Sequence, residues 1–532
     1  MSHRSCIILV TAMRPLPVLY FVAAGLLSGQ PVPEFTLSRI CATCHQQVPD
    51  VEGSSRDLAA YPLWRGTMMA NASRDPYWNS KVRREVALLP GLRDTIEAKC
   101  ISCHAPAQHR PAVARGAKLN LDDLSRLGQD GVTCTVCHQI TSEKLGTADS
   151  FTGGFVLGEK RLAFGPHPEP FTHPMLMHTG FEPREGRHIL ESALCGTCHT
   201  VITPTVDQQG KIIGDFLEQA PFLEWLAAGF PKETSCQSCH VPVLTGATGK
   251  PEPHFIAHRP PGGAFPPTRR RTPFGRHEFV GGNVEIPEYL ASVFPSDAPS
   301  LAATANRARR NLERAVSLDL VPSRKPKLLE LRVRVNNLTG HKVPTGFPSR
   351  RLWLHVAVTD AKSQRVFESG AFDPNTGALP SDDQPCSQEH YSVIERPSQV
   401  MIFESVMKDP SGSCTVDLLR AAGYHKDNRL LPEGFNAKAA LPKGIDVGRI
   451  APVGVGKDPD FAPGSDTVVY RIPLPSPAAP FRIRVEACYQ SIRPRDLEGL
   501  DPSAAEEGRQ FLRAIRRKNP PVIVATAEAS VP

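Results

Sequence analysis

Beyond its N-terminus the 532-residue chain has no apolar run close to the ~20 residues a bilayer crossing requires, so no transmembrane helix is expected in the mature protein. It shows no lopsided charge either: 22% charged and 40% hydrophobic residues exclude disorder driven by composition. A nucleotide-binding phosphate loop is also missing, because GVGK at Gly454 to Lys457 is followed by Asp458 where Ser or Thr is needed. DPNTG at Asp373 to Gly377 is only faintly calcium-like and reads as a turn. Proline is plentiful: 52 of 532 residues argue for long ordered loops and against a simple helical bundle. The length allows two to four domains and a sizeable core.

The first thirty residues read as an export signal. Arg4 and Arg14 supply basic character, Leu16 to Leu27 an apolar run too short to span, and Ser28 and Gly29 a plausible cleavage region. Met13 is an alternative start, and a retained anchor the competing reading. Export would place the mature chain in the periplasm or outside the cell, where free thiols oxidise unless bonded.

Ten of the fourteen cysteines fall into five pentapeptides of one spacing. They are Cys41 and Cys44 with His45, Cys100 and Cys103 with His104, Cys134 and Cys137 with His138, Cys195 and Cys198 with His199, and Cys236 and Cys239 with His240. Chance at this composition supplies on the order of 0.01 such motifs. Two thiols three positions apart can each bond a vinyl-derived carbon of one haem, while the following histidine reaches the iron. Zinc ribbons do not require a histidine after each second cysteine, a thioredoxin-like site needs one CxxC, and a disulfide across so short a loop is strained. The sequence therefore predicts five c-type haems.

The motifs occupy Cys41 to His240, one per 40 residues, with starts separated by 59, 34, 61 and 41 residues, so no fixed repeat exists. That is too little chain for separate cores; the haems are expected to pack together and supply apolar surface themselves. The formal charge of +7 falls to about +5 without the two leader arginines. Five ferric haems with ionised propionates, each about −1, bring it near zero, so no nucleic-acid partner is implied. Arg269, Arg270 and Arg271 stand open between docking an acidic partner, pairing propionates and lining a solvated loop.

Eight prolines between 242 and 273 suggest an extended wrap. A connecting helix is expected over 299–324, with Leu301, Ala305, Ala308, Leu312, Ala315 and Val316 on one face. From Leu329 the period becomes two. Leu329 to Val335, Leu352 to Val358, Gln399 to Val406, Thr467 to Ile472 and Phe481 to Val485 predict strands. The fold expected is a mainly α and irregular haem-packed multihaem cytochrome domain (31–298) followed by an antiparallel β-sandwich-like domain (325–492). A C-terminal helix and tail (493–532) open on a Ser503/Glu506 capping box. Of the remaining cysteines, Cys6 falls in the leader, Cys386 and Cys414 form the most plausible disulfide, and Cys488 is left free or intermolecular.

The segments YPLWRGTMMANASRDPYW, GVTCTVCHQI, SALCGTCHTV, SCQSCHVP, GRHEFVGGNVEIPEYL, NNLTGHKVPTGFPSRRLWLHVAV and YHKDNRLLPEGF resemble a family of secreted bacterial multihaem c-type cytochromes over about residues 35 to 440. That family is similar to the superfamily of hydroxylamine oxidoreductase and pentahaem nitrite reductase. The resemblance implies bis-histidine haems packed in chains below a C-terminal β domain. Many relatives carry histidine near Met69, where this chain has Met68 and Met69, so one haem is either His/Met ligated or open.

Twelve histidines outside the motifs and leader compete for five distal positions. His109, His178, His188, His277 and His341 are favoured, with His167, His173, His254 and His258 in reserve and His355, His390 and His425 read as structural. Two functions stand. One is electron transfer between redox partner proteins through the stacked haems. The other is an oxidoreductase converting a small nitrogen or sulfur compound at one open iron, although the CxxCK motif of the nitrite reductases is lacking.

Overall fold

The computed structural model describes residues 34–49, 54–55, 58–158, 160–230, 234–258, 268–384, 386–474 and 480–532. The expected leader and four prolines of the wrap, Pro260, Pro261, Pro266 and Pro267, lie outside the described residues. No helix among the described residues is long and apolar enough to cross a membrane.

The described residues up to Leu312 form short helices joined by loops and three two-stranded sheets, among them the hairpin of Val201–Val206 with Ile212–Gln219. Pro76–Leu88 starts at Asp75, whose carboxylate accepts from the amides of Tyr77 (2.9 Å) and Trp78 (3.2 Å), with Pro76 preset in the first turn. Helix Ala298–Leu312 buries Leu301, Ala305, Ala308 and Leu312, four of the positions its periodicity predicts. It approaches Ala60–Arg65 so closely that a Cβ on Gly66 would sit 2.2 Å from the Ser300 carbonyl oxygen. Asp297, just ahead of this helix, pairs with Arg65 (2.7 Å) and Arg74 (3.0 Å).

The period-two segments are strands of two sheets. In the four-stranded sheet, Leu328–Asn337 lies between Val316–Lys325 and Ser465–Pro473. Leu329, Leu331, Val333 and Val335 are fully buried while Arg332 and Arg334 face solvent. In the seven-stranded sheet, Arg351–Thr359 pairs with Ile402–Lys408 and with Phe481–Gln490. Both sheets contribute to one apolar core, where Leu331, Val333, Leu354, Val356 and Val485 meet. Each such side chain contributes about 1.5–3 kcal/mol by leaving water.

Four details differ from the sequence reading. The helix expected over 299–324 ends at Leu312, and Val316–Lys325 is an edge strand. Val316, Leu318 and Leu320 alternate and pack on the core, so the period of two begins earlier than Leu329. The chain beyond 492 is not only helix and tail, since Val522–Val531 pairs antiparallel with Phe481–Gln490. The last helix, Glu506–Ile515, starts without the Ser503/Glu506 capping box: Ser503 donates to the Leu500 carbonyl, and Glu506 pairs with Arg509 and Arg513. Finally, Val393–Ile394 joins Ser465–Pro473 in parallel, so the sheets are not wholly antiparallel.

The Cys386–Cys414 disulfide is formed, with Cα atoms 5.5 Å apart, and Cys488 is buried in the seven-stranded sheet. His355 bridges Glu486 (3.0 Å) and Glu368 (2.9 Å) across three strands, the structural role expected of it. His390 is wedged between Asn428 and Asp458.

Buried ion pairs tie the segments together. Asp427 binds Lys342 (2.6 Å) and Arg429 (2.7 Å), and Arg429 reaches Glu224 (3.0 Å) on helix Pro221–Leu226. Burial opposes ionisation of Asp427, but Arg429 and Lys342 outweigh it and hold the carboxyl at about 2. Glu404 is likewise held at about 2, against burial, by Lys426 and Arg493. In the unfolded chain these carboxyls titrate near 4. Their contribution to stability is complete above about pH 4 and disappears as the pH falls to about 2. Acid titration followed by circular dichroism is therefore expected to show cooperative unfolding in that window. Lys342→Met, which strips one cation from a buried carboxylate, is expected to lower stability by about 3–5 kcal/mol in denaturant unfolding.

Candidate functional site

Each cysteine pair lies on one helical turn. The turns belong to Ser38–His45, Arg93–His104, Cys134–Cys137 with His138 as its C-cap, Ser192–His199 and Cys236–His240. On an α-helix, positions i, i+3 and i+4 share a face, so both thiols and the imidazole project to one side.

The five faces converge on a cavity of about 2260 Å³ lined by all ten motif cysteines and all five motif histidines. This is more than twice the ~1,000 Å³ upper range for a pocket holding one small molecule. The thiols of Cys41 and Cys134 are close enough to act on each other electrostatically, as are those of Cys103 and Cys198 and those of Cys195 and Cys236. Two of these junctions are built alike. Ser38, three residues before Cys41, accepts from the Cys134 amide (3.3 Å); Ser192, three residues before Cys195, accepts from the Cys236 amide (3.0 Å). First and third motifs, and fourth and fifth, thus pair by the same device without a sequence repeat.

Four of the five motif imidazoles are oriented by backbone carbonyls. Nδ1 of His45 meets Ile256 O (2.8 Å), that of His104 meets Ala72 O (3.0 Å), that of His138 meets Phe164 O (2.6 Å) and that of His240 meets Val280 O (2.5 Å). A carbonyl requires Nδ1 to carry the proton, leaving Nε2 with a free lone pair. Burial pushes His104 down to about 4; burial, with His240 beside it, does the same for His199. Both rings are thereby kept neutral, the form that can ligate a metal. Paired thiols, an oriented neutral imidazole and a large shared cavity are the donor set that covalent haem requires.

Of the favoured distal histidines, His178, His277 and His341 line the cavity, together with His167, His258, Met68 and Met69. The His277 ring stands 6.3 Å from that of His138, and the His341 ring 6.4 Å from that of His240, each pair inclined by 20°. Lys342, Thr345 and Glu224 anchor the loop carrying His341: the Lys342 amide and the Thr345 hydroxyl both donate to the Glu224 carboxylate. His109 and His188 are not brought to the cavity. His188 is buried with Nε2 on the Ile140 carbonyl (2.8 Å), and His109 lies on helix Pro106–Ala114 with a buried, unpartnered Nδ1.

Other cavity residues carry no motif. Trp78 stacks on His104 at 4.2 Å. Around Cys100 and Cys103 the fold gathers Glu85, Lys99 and Glu218, and burial pushes Glu218 up to about 7. Glu218 sits on strand Ile212–Gln219, over 100 residues from the motif it faces, so no local signal announces it.

Residues 40–139, which include the first three motifs, match the family model described as cytochrome c554 and c-prime. No curated protein matches the chain at a significant level. Among solved structures, a penta-heme cytochrome c552 from Thermochromatium tepidum is similar, with a TM-score of 0.52 and 18% identity, covering 93% of this chain and 99% of that one. At that identity the likeness is one of fold. With the motif geometry, the two findings support a multihaem c-type cytochrome.

Ser38→Ala and Ser192→Ala are each expected to cost about 1 kcal/mol in denaturant unfolding, the net worth of one hydrogen bond.

Proposed function

We propose that the chain is exported, carries five covalently bound c-type haems and passes electrons along them between redox partner proteins. The convergence of all five cysteine pairs and histidines on one cavity carries this reading. The leader sequence and the Cys386–Cys414 disulfide support a periplasmic or extracellular location.

Each cysteine pair would hold one haem by thioether bonds, with His45, His104, His138, His199 and His240 as proximal ligands. Bound haem iron supplies one-electron chemistry between its ferric and ferrous states. For distal ligands the ring geometry supports His277 opposite His138 and His341 opposite His240. Two imidazoles binding one metal through nitrogen at about 2.0–2.1 Å have centroids about 6.3–6.6 Å apart, and the separations are 6.3 and 6.4 Å. The thiol contacts between motifs support close neighbours in the order first–third and second–fourth–fifth. Cys137 also acts electrostatically on Cys195 and Cys198, which joins the two groups.

A second reading, turnover of a small nitrogen or sulfur compound at an open iron, draws on the second motif. There the ring stacked on His104 is an indole, and the acids Glu85 and Glu218 crowd the thiols. Ferric electron paramagnetic resonance separates the two. Electron transfer predicts low-spin signals only in the intact protein, with His277→Ala and His341→Ala each converting one haem in five to high spin. A high-spin signal in the intact protein that shifts with nitrite, hydroxylamine or sulfite would favour the enzyme.

A further inference from the structure

The cavity wall contains more cationic side chains than the polypeptide neutralises. Arg276 is paired with Glu278, Arg184 with Glu182, and Lys342 with Asp427. Arg350 is different: it lines the cavity, and among the described residues it has no carboxylate partner. Its Nη1 donates to the Thr345 carbonyl (2.6 Å), and the guanidinium lies against Gly346, where a Cβ would come within 3.0 Å of it. Gly346 also has φ +86°, so an L side chain there would be both crowded and strained. Arg350 is held from both sides. Thr345 is bound to Glu224, and Arg351 is buried with its guanidinium on Asp382 and Gln490. The fixed charge acts on the fourth-motif imidazole, His199, and on His341, whose ring stands 6.4 Å from that of the fifth-motif His240.

A guanidinium with spare donors, positioned by its neighbours beside the fourth and fifth motifs, is suited to a carboxylate. Arg310 and Arg314, two exposed guanidiniums at the end of helix Ala298–Leu312, line the same cavity with no carboxylate partner among the described residues. The carboxylates missing from this wall are those a haem carries itself.

We propose that Arg350 binds a haem propionate between the fourth and fifth motifs and, by placing positive charge there, raises the reduction potential of the haem it contacts. The inference rests on the five-haem reading above. A cation near the porphyrin favours the ferrous state, which carries one positive charge fewer than the ferric. Arg310 and Arg314 add to the same field.

The test is spectroelectrochemical titration of the intact haem-loaded protein, comparing Arg350→Gln, Arg350→Lys and the Arg310→Gln/Arg314→Gln pair with wild type. Arg332→Gln, on the outer face of the four-stranded sheet, is the control. Arg350→Gln is expected to lower the midpoint of one or two of the five one-electron components and leave the rest unmoved, and Arg350→Lys to restore most of the loss. The Arg310→Gln/Arg314→Gln protein is expected to shift in the same direction, which provides a reading if Arg350→Gln fails to accumulate. Unchanged midpoints in a protein with five haems, or a shift equal to that of the control, would overturn the role of Arg350 while leaving the five-haem reading intact. A protein without haem would remove both.

Discussion

One turn of helix, used five times, governs this molecule. Two thiols at i and i+3 and an imidazole at i+4 share a face, and that face is turned inward in every case. Serine-to-amide hydrogen bonds join motif helices, and carbonyls fix the proton of four of the five rings on Nδ1. Burial then keeps the rings of His45, His104, His138 and His199 neutral.

The sheets do more than cap this assembly. The ion-paired group of Glu224, Lys342, Asp427 and Arg429 links a helix near the fourth motif, the loop bearing His341 and the strand-end at Asp427. A loop holding a ring 6.4 Å from His240 is thereby fixed by buried charges. The C-terminal helix contributes in parallel, because Phe511 and Leu512 pack with Tyr77, Leu290 and Leu301 in one apolar cluster. The end of the chain is thus locked onto helices from its beginning.

The five cysteine–histidine motifs were legible in the sequence because covalent attachment chemistry demands strict local spacing. The strands at Leu329 and Phe481 were legible because a half-buried strand must alternate. What depended on long-range geometry was not. His277 and His341 could be nominated only as members of a crowd of histidines, and His109 and His188 were nominated beside them although neither lines the cavity. Glu218, Trp78 and Arg350 have no spacing rule at all; they matter because the fold brings them to a wall shared with distant motifs. The strand at Val522 was missed for a related reason: its alternation of valine, isoleucine and alanine is weak until Phe481–Gln490 is present to pair with it.

The central claim is covalent haem at five places on one chain, and intact mass spectrometry of protein produced in cells able to mature c-type cytochromes addresses it directly. The account predicts a mass equal to the processed polypeptide plus five haems, with the ten motif thiols unreactive to alkylation. A colourless product at the bare polypeptide mass, with those thiols free, would contradict it.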